Sequence, residues 1–188
     1  MESIAPLLEQ PNKLHKALDY YYETYQNYNN EMWAEKLGLD GFNIGDDILI
    51  SELTALLQSV ETDMTIFFRL LSSINEPDIS HLTYAFYSRE NIPKQEWNIW
   101  LNKWWSRVKQ NPDQEKMKIA NPKYVLRNWM AQLAIDAAEG DDYSVAIELY
   151  ELLRNPYLEQ PEYEEKWFKK RPEWARHRVG CSMLSCSS

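Results

Sequence analysis

The sequence predicts a mainly helical protein. Apolar residues recur at steps of three and four along several long stretches, and this spacing places them on one face of an α-helix. The chain has only five glycines and no Asn-Gly or Gly-Gly pair, so tight β-hairpins are not favoured. No stretch shows a convincing strand alternation. We therefore predict about six or seven helices in residues 1–154, followed by a long, irregular and extended tail in residues 155–188.

Composition limits the possible partners. At 188 residues and 22.4 kDa the chain is long enough for one domain with a core, and 44% of its residues are hydrophobic. Its formal charge of -9 argues against nucleic acid, because nucleic-acid-binding proteins present basic patches to phosphates. The N-terminal sequence carries no recognisable secretion signal, and no stretch approaches the apolar length of a membrane span. We therefore expect neither a nucleic-acid nor a membrane partner.

The first long helix is predicted from Asn12 to Leu37. Its apolar positions include Tyr21, Tyr25 and Tyr28, which we expect to pack in the core with their hydroxyls at the rim. A ligand-stacking ladder is the alternative. The following loop, Gly38 to Asp46, matches no EF-hand, Walker or dinucleotide motif. We expect it to end the first helix and to cap the next.

Besides a tryptophan-rich helix, four segments lie between this loop and Asn121. Two are predicted helices, one capped by Asp46 or Asp47 and the other starting near Thr62 or Asp63. Asp78 to Ser88 is predicted as a short helix, and Asn111 to Ala120 as a polar connection.

Pro93 begins a tryptophan-rich helix. Basic residues accompany its apolar stripe, a combination that could stack single-stranded nucleic acid. The acidic surroundings favour packing against the rest of a larger protein instead, so we expect the stripe to be an exposed apolar face. Its members are Trp97, Trp100, Leu101, Trp104, Trp105 and Val108.

The segment from Asn121 to Gly140 has the most complete helix signals, and we predict it to be the central helix. Asn121 suits the N-cap, Pro122 the first turn and Gly140 the left-handed residue that ends a helix. Arg127 and Asn128 interrupt the apolar face near its start. We expect Arg127 to serve a buried ion pair or a carbonyl, with a ligand contact as the alternative.

A second helix, Asp142 to Arg154, completes a helical hairpin that is locally like a tetratricopeptide repeat. No second copy occurs at a 34-residue period, so a repeat-type interaction module is the alternative function. In the tail we expect aromatic anchors to press into grooves, and basic residues to be solvated or ion-paired. The anchors are Tyr157, Tyr163, Trp167, Phe168 and Trp174, and the basic residues are Lys166, Lys169, Lys170, Arg171, Arg176 and Arg178.

We identify no catalytic, cofactor-binding or metal-ligating set in the sequence. The three histidines, His15, His81 and His177, lie in unrelated segments away from any nucleophile pattern. Nucleotidyl transfer needs a phosphate cradle, a lysine on the phosphates and Asp or Asn on a metal, and no such combination is recognisable. The two cysteines are too few for a disulfide framework or a four-ligand zinc site, which favours a reducing compartment.

Several short segments nevertheless occur together in one order. They are NPKYVLRN (Asn121 to Asn128), AAEGDDYS (Ala137 to Ser144), NPYLEQPEYE (Asn155 to Glu164), RPEW (Arg171 to Trp174) and CSMLSCSS (Cys181 to Ser188). This set resembles the C-terminal end of the selenoprotein O family. EMWAEKLGL and DMTIFFRLLSSI resemble earlier segments of the same region more loosely.

The resemblance implies the C-terminal part of a kinase-like protein, a pseudokinase that transfers AMP from ATP to hydroxyl groups of other proteins. It implies ATP and Mg²⁺ as cofactors of the full-length protein, bound by residues upstream of this chain. The expected partners are therefore the missing N-terminal kinase-like region and protein substrates. The expected location is the bacterial cytoplasm, or the mitochondrion in a eukaryote.

Cys186 is third from the end, where some members of this family carry selenocysteine. The position implies a redox or regulatory role, and an inert terminal thiol is the alternative. Cys181 stands in a Cys-x4-Cys spacing that could close on itself. The resemblance implies instead that the partner cysteine lies in the kinase-like part.

Overall fold

Helices account for nearly all regular structure in residues 11–181, the part of the chain that the computed structural model describes. The mainly helical prediction is confirmed, with slightly more helices than expected. Within this range the only β-type pairing is an isolated antiparallel bridge between Thr62 and Phe86. The α-helices are α1 (Pro11–Lys36), α2 (Asp46–Ser59), α3 (Met64–Leu71), α4 (Lys94–Arg107), α5 (Gln114–Ala120), α6 (Asn128–Ala138), α7 (Ser144–Arg154) and α8 (Pro161–Trp167), and the 3₁₀ helices are Ile79–Ala85 and Glu173–Ala175.

Glycines set the end of α1 and the start of α2. Gly38 has φ +66° and follows the last turn of α1, where the amide of Leu39 donates to the carbonyl of Ala34. Gly45, with φ +97°, is the N-cap of α2. The prediction that Asp46 or Asp47 caps α2 was therefore wrong. The carboxylate of Asp46 instead accepts from the amide of Asn43 and from Arg107.

The tryptophans of α4 form the centre of the core. Trp97, Trp100 and Trp104 are at most 1% exposed, and the last two stack with ring centroids 6.2 Å apart. Trp100 Nε1 donates to the carbonyl of Leu49 and Trp104 Nε1 to that of Leu37, each at 2.8 Å. The predicted exposed face on this helix was wrong, because these indoles pack against α1, α2 and α3 inside the chain itself.

The tyrosines of α1 show the opposite error. Tyr21, Tyr25, Tyr28 and Met32, which we call the tyrosine stripe, are 44–68% exposed. The bounds of α1 agree with the predicted Asn12 to Leu37 within one residue, but this face is not in the core.

Two helix boundaries near the middle of the chain differ from expectation. The predicted connection Asn111 to Ala120 contains α5, which Asp113 caps by accepting from the amide of Lys116. The predicted central helix starts seven residues late, because residues 121–127 are not helical and Asn121 is the C-cap of α5. Gly140 does not take the left-handed conformation, which Asp141 adopts instead with φ +61°.

Helices α6 and α7 pack together as the predicted hairpin. In residues 11–181 they are the only consecutive α-helices with extensive mutual contact, so the described part of the chain is not a stacked repeat array. Residues 155–181 of the tail are irregular apart from α8 and a 3₁₀ turn, and Trp167 and Phe168 anchor them in the core. The prediction that Tyr157 and Trp174 are also anchors was wrong, because these side chains are 46% and 44% exposed. Pro161 is compatible with α8 because it occupies the first turn. None of the described helices has the length and apolarity to cross a bilayer.

Candidate functional site

The segment NPKYVLRN, residues 121–128, runs extended from α5 to α6 and is held by the tail. The amides of Lys123 and Tyr124 both donate to the carbonyl of Pro156, at 2.9 and 3.1 Å. Two segments that carried the family resemblance therefore touch each other. We call residues 121–128 and 155–168, together with their partners Asp63 and Arg69, the clamp.

A charged network lies under this contact. Lys123 is only 4% exposed, and its Nζ donates to Glu159 Oε2 at 2.9 Å and Glu164 Oε2 at 2.6 Å. Arg69, equally buried, pairs with the other oxygen of Glu159 and donates to the carbonyls of Lys118 and Asn121 at 3.2 Å. Glu159 thus joins two buried cations, and few of their donors are left for a ligand.

The same contacts shift the protonation equilibria of the clamp. Burial lowers the pKa of Lys123, but its hydrogen bonds to Glu164 and Glu159 outweigh burial and the net pKa is raised. Burial raises the pKa of Glu159, yet Lys123 and Arg69 outweigh it and the net pKa is lowered. Both groups therefore hold their charges more firmly than they would in water.

Arg127 forms the second ion pair of the clamp. Its guanidinium makes a two-pronged contact with Asp63, including NH2 to Oδ1 at 2.8 Å, and donates to the carbonyl of Lys169 at 3.0 Å. Asp63 is 7% exposed and also caps α3 through the amide of Ile66. The pair and the carbonyl are the contacts that the sequence predicted for Arg127, and its partner is 64 residues away.

The remaining motif residues have structural contacts. The side-chain amide of Asn121, 1% exposed, donates to the carbonyl of Lys36 at 2.9 Å and to Ser72 Oγ at 3.2 Å. Pro122 continues the extended segment, half-buried. Asn128, the first residue of α6, donates to the carbonyl of Cys181 at 3.2 Å. These residues join elements rather than line a cleft.

Cys181 is a buried free thiol, 8% exposed, in the part of the chain that the structure describes. Cys186 lies outside the described residues. Four of the six basic residues of the tail form ion pairs, as the sequence allowed, and Lys170 donates to the carbonyl of Phe86. Lys166 pairs with Glu148, Arg171 and Arg176 share Glu61, and Arg178 pairs with Asp136.

The glycine-rich loop and α4 enclose a polar cleft of about 590 Å³. Its charges are mutually satisfied, since Arg107 donates to Asp40 at 2.7 Å and to Asp46 at 2.8 Å. Hydrogen bonds from Arg107 and Lys109 lower the pKa of Asp40 to about 2. Among residues 11–181, no cluster of three or more His, Cys, Asp or Glu side chains is arranged to hold a metal ion.

A second cavity is apolar. It is a groove of about 430 Å³ on the α6–α7 hairpin, with Ala134 and Leu149 among its lining residues and Leu126, Ile135 and Tyr150 at least half exposed. Neither this groove nor the roles of Lys123, Arg69 and Glu159 were predicted from the sequence. Nothing in a single sequence couples a lysine to a glutamate 36 residues later.

The fold and the clamp define a helical structural module in which buried or partly buried cations pair with carboxylates and tie distant segments together. Similarity to known proteins identifies the family of the chain. Residues 1–154 match the sequence profile of the family described as "Protein adenylyltransferase SelO". The chain belongs to this family.

Three relatives show how much of a family protein the chain represents. Each is named protein nucleotidyltransferase YdiU. The relative from Flavobacterium johnsoniae is 47% identical over 99% of this chain and 38% of its own length. Those from Aromatoleum aromaticum and Rhodopirellula baltica are 44% and 40% identical, each over 99% of this chain, covering 37% and 39% of their lengths. The chain thus spans less than half of each of these relatives.

Proposed function

We propose that this chain is the C-terminal helical part of a protein adenylyltransferase that, in full-length form, transfers AMP from ATP to Ser, Thr or Tyr hydroxyls of protein substrates. The observation that supports the proposal is the share of each relative's length that the chain spans. Nearly the whole chain aligns with proteins named nucleotidyltransferases, while spanning only 37–39% of the three compared above. The family description names adenylyl transfer.

The role of this part is to support a kinase-like catalytic lobe in the rest of the protein, where ATP and Mg²⁺ bind. Nucleotidyl transfer uses cations that are free to meet phosphates and carboxylates that hold a metal. The buried cations Arg69 and Lys123 and the partly buried Arg127 are engaged by carboxylates of the chain itself. Such pairs suit a rigid support better than a phosphate site.

Titration calorimetry of the isolated chain with Mg-ATP tests this proposal. We expect no measurable heat of binding, with a full-length relative as the positive control and circular dichroism to verify that the isolated chain is helical. Micromolar affinity that is abolished by a substitution within residues 11–181 would contradict the proposal, because the nucleotide site would then lie in this chain.

Redox regulation through Cys186 is the second element of the proposal. A thiol near the end of the chain can form a disulfide with a cysteine in the catalytic lobe when a peroxide takes two electrons and two protons from the pair and is reduced to water. Cys181 is less suited to exchange, because it is 8% exposed. Mass mapping of the oxidised full-length protein under non-reducing conditions should find Cys186 bonded outside this chain. The Cys186→Ser variant should lose the response of activity to oxidant, whereas Cys181→Ser should keep it.

A helical interaction module that acts without catalysis is the second candidate, and the apolar groove on α6 and α7 is the observation that favours it. The intact mass of the native protein separates the two functions. A mass near 22.4 kDa would favour the free module, and a mass more than twice as large the enzyme part.

A further inference from the structure

Within residues 11–181, the tyrosine stripe is a run of aromatic side chains that the core leaves uncovered. Tyr21, Tyr25 and Tyr28 are 59%, 56% and 68% exposed, and Met32 is 44% exposed. Tyr21 and Tyr25 stack on each other with ring centroids 6.1 Å apart, and among the described residues no other element covers them. Tyr20 and Tyr22, on the two flanks of the stripe, are 71% and 64% exposed.

The stripe points away from the body of the protein. With 3.6 residues per turn, Tyr25, Tyr28 and Met32 lie within about 40° of Tyr21 around the helix axis. Ala34 and Leu37, which are 3% and 0% exposed and attach this end of α1 to the core, lie about 140–160° away from Tyr21. Because the two faces are nearly opposite, packing α1 more closely onto its own body cannot bury the stripe.

Polar residues of α1 are concentrated on one side of the helix. Asp19, Glu23 and Gln26 lie on the side of the helix opposite the stripe. This is the same side as Ala34 and Leu37, which attach α1 to the core. The helix is thus amphipathic, but its apolar side is the one that the described chain leaves open. A helix of this kind gains most of its stability from packing its apolar face, and an isolated helix is only marginally stable in water.

We propose that the tyrosine stripe of α1 is the surface on which the remainder of the full-length family protein docks. This inference rests on the proposed function, since it takes the catalytic part to be the occupant. Two observations identify that occupant. The family profile matches from residue 1, so α1 belongs to the region shared with the family, and more than half of each compared relative lies outside this chain.

The chemistry of the stripe describes the surface that it fits. Tyrosine is enriched in the buried centres of interfaces, where the ring is covered and the hydroxyl reaches a polar partner. From Tyr21 to Met32 the stripe is about 17 Å long, or roughly three turns of helix. We therefore expect an apolar trough of that length on the occupant, with backbone carbonyls or carboxylates along its edges to accept from the tyrosine hydroxyls.

Amide hydrogen exchange over residues 14–32 tests the proposal. The two samples are the 188-residue chain alone and the full-length Flavobacterium johnsoniae relative with this chain in place of its matched region. We expect exchange at least about tenfold slower in the full-length protein. The triple variant Tyr21→Gln/Tyr25→Gln/Tyr28→Gln should lose that protection. The matched control Tyr143→Gln/Ile99→Gln/Ile119→Gln changes three apolar side chains of comparable exposure outside α1 and should keep it.

Equal exchange in the two samples would overturn the docking surface. Protection in the isolated chain that grows with concentration, with a dimer in sedimentation, would also overturn it, because the occupant would then be a second copy. AMP transfer by the full-length protein is measured in parallel. Transfer with an unprotected α1 refutes the docking surface alone, whereas protection without transfer refutes the proposed activity and keeps the surface.

Discussion

The clamp and the tyrosine stripe are both prominent in the sequence, yet the chain treats them in opposite ways. In the clamp, Lys123, Tyr124 and Asp63 are 2–7% exposed and have partners within the chain. In the stripe, the side chains are 44–68% exposed and the ring contacts are among the tyrosines of α1 themselves. These clamp residues are therefore satisfied by contacts within the chain, whereas the side chains of the stripe are left uncovered by the described part of the chain.

The largest expected effect comes from breaking the Arg127–Asp63 pair. Arg127→Met leaves the buried carboxylate of Asp63 without its guanidinium, and breaking a buried pair from one side costs about 3–5 kcal/mol. Urea unfolding at pH 7 measures the loss. Arg154→Met is the matched control, because the Arg154–Glu151 pair is at least half exposed and should contribute less than about 1 kcal/mol. Equal small effects of the two variants would show that the clamp pair is not a stabilising contact.

Lys123→Met should have the next largest effect, about 1.5–3 kcal/mol, because it removes charge-assisted hydrogen bonds to Glu159 and Glu164 while keeping most of the buried stem. Its pH dependence sharpens the test. The folded pKa of Glu159 lies below the ordinary 4.5, so its contribution is present above pH 4.5 and is lost as the pH falls through the folded value.

Lys123 affects the free energy of unfolding at the alkaline end of the pH range. Its folded pKa lies above the ordinary 10.5, so its contribution is complete below pH 10.5 and is lost as the pH rises through the folded value.

The acid range tests the pairing of Lys123 with Glu159. As the pH is lowered from 6 to 3, the free energy of unfolding should fall less steeply in the Lys123→Met variant than in the original chain. An unchanged acid limb would mean that Lys123 does not set the pKa of Glu159.

Tyr124→Phe should cost about 0.5–1.5 kcal/mol, since the ring stays and only the hydroxyl is removed. That hydroxyl lies 3.0 Å from the carbonyl of Glu159 and 3.1 Å from that of Gln160, and it ties the tail to the extended segment. The urea midpoint measures the change. A stabilised variant would indicate that the buried ring, and not the hydrogen bond, holds the tail.

The smallest effect is expected in the stripe. In the isolated chain, Tyr21→Gln/Tyr25→Gln/Tyr28→Gln should change the free energy of unfolding by no more than about 0.5 kcal/mol, because exposed side chains away from special contacts contribute little. Thermal unfolding followed by circular dichroism measures it. A loss as large as that of Lys123→Met would erase the contrast, since the stripe would then be packed within this chain.

Local signals explain which parts of the fold the sequence could predict. The end of α1 at Gly38 and the start of α3 at Asp63 depend on residues within one turn of the boundary, and both were predicted. The start of α6 was not. Asn121 and Pro122 have the local chemistry of a helix start, but the amides of Lys123 and Tyr124 bond to the carbonyl of Pro156, more than 30 residues away, and the segment stays extended.

The contacts of the candidate site were likewise predictable from the sequence only in part. The sequence showed that Arg127 would need an anion or a carbonyl, because a guanidinium beside an apolar face must be satisfied. It could not show that the anion is Asp63, nor that Lys123 and Arg69 converge on Glu159. Cys186 lies outside the described residues, and its redox role stays a prediction.

By itself the sequence determined that the chain is helical, where most helices lie and which residues share a helix face, because these properties depend on neighbours three or four positions apart. Only the tertiary structure decided which faces are covered. The indoles of α4 and the tyrosines of α1 have the same kind of periodicity, yet Trp104 is fully buried and Tyr28 is 68% exposed. The difference comes from contacts between distant segments, such as Arg69 with Glu159 across 90 residues, and no local pattern encodes them.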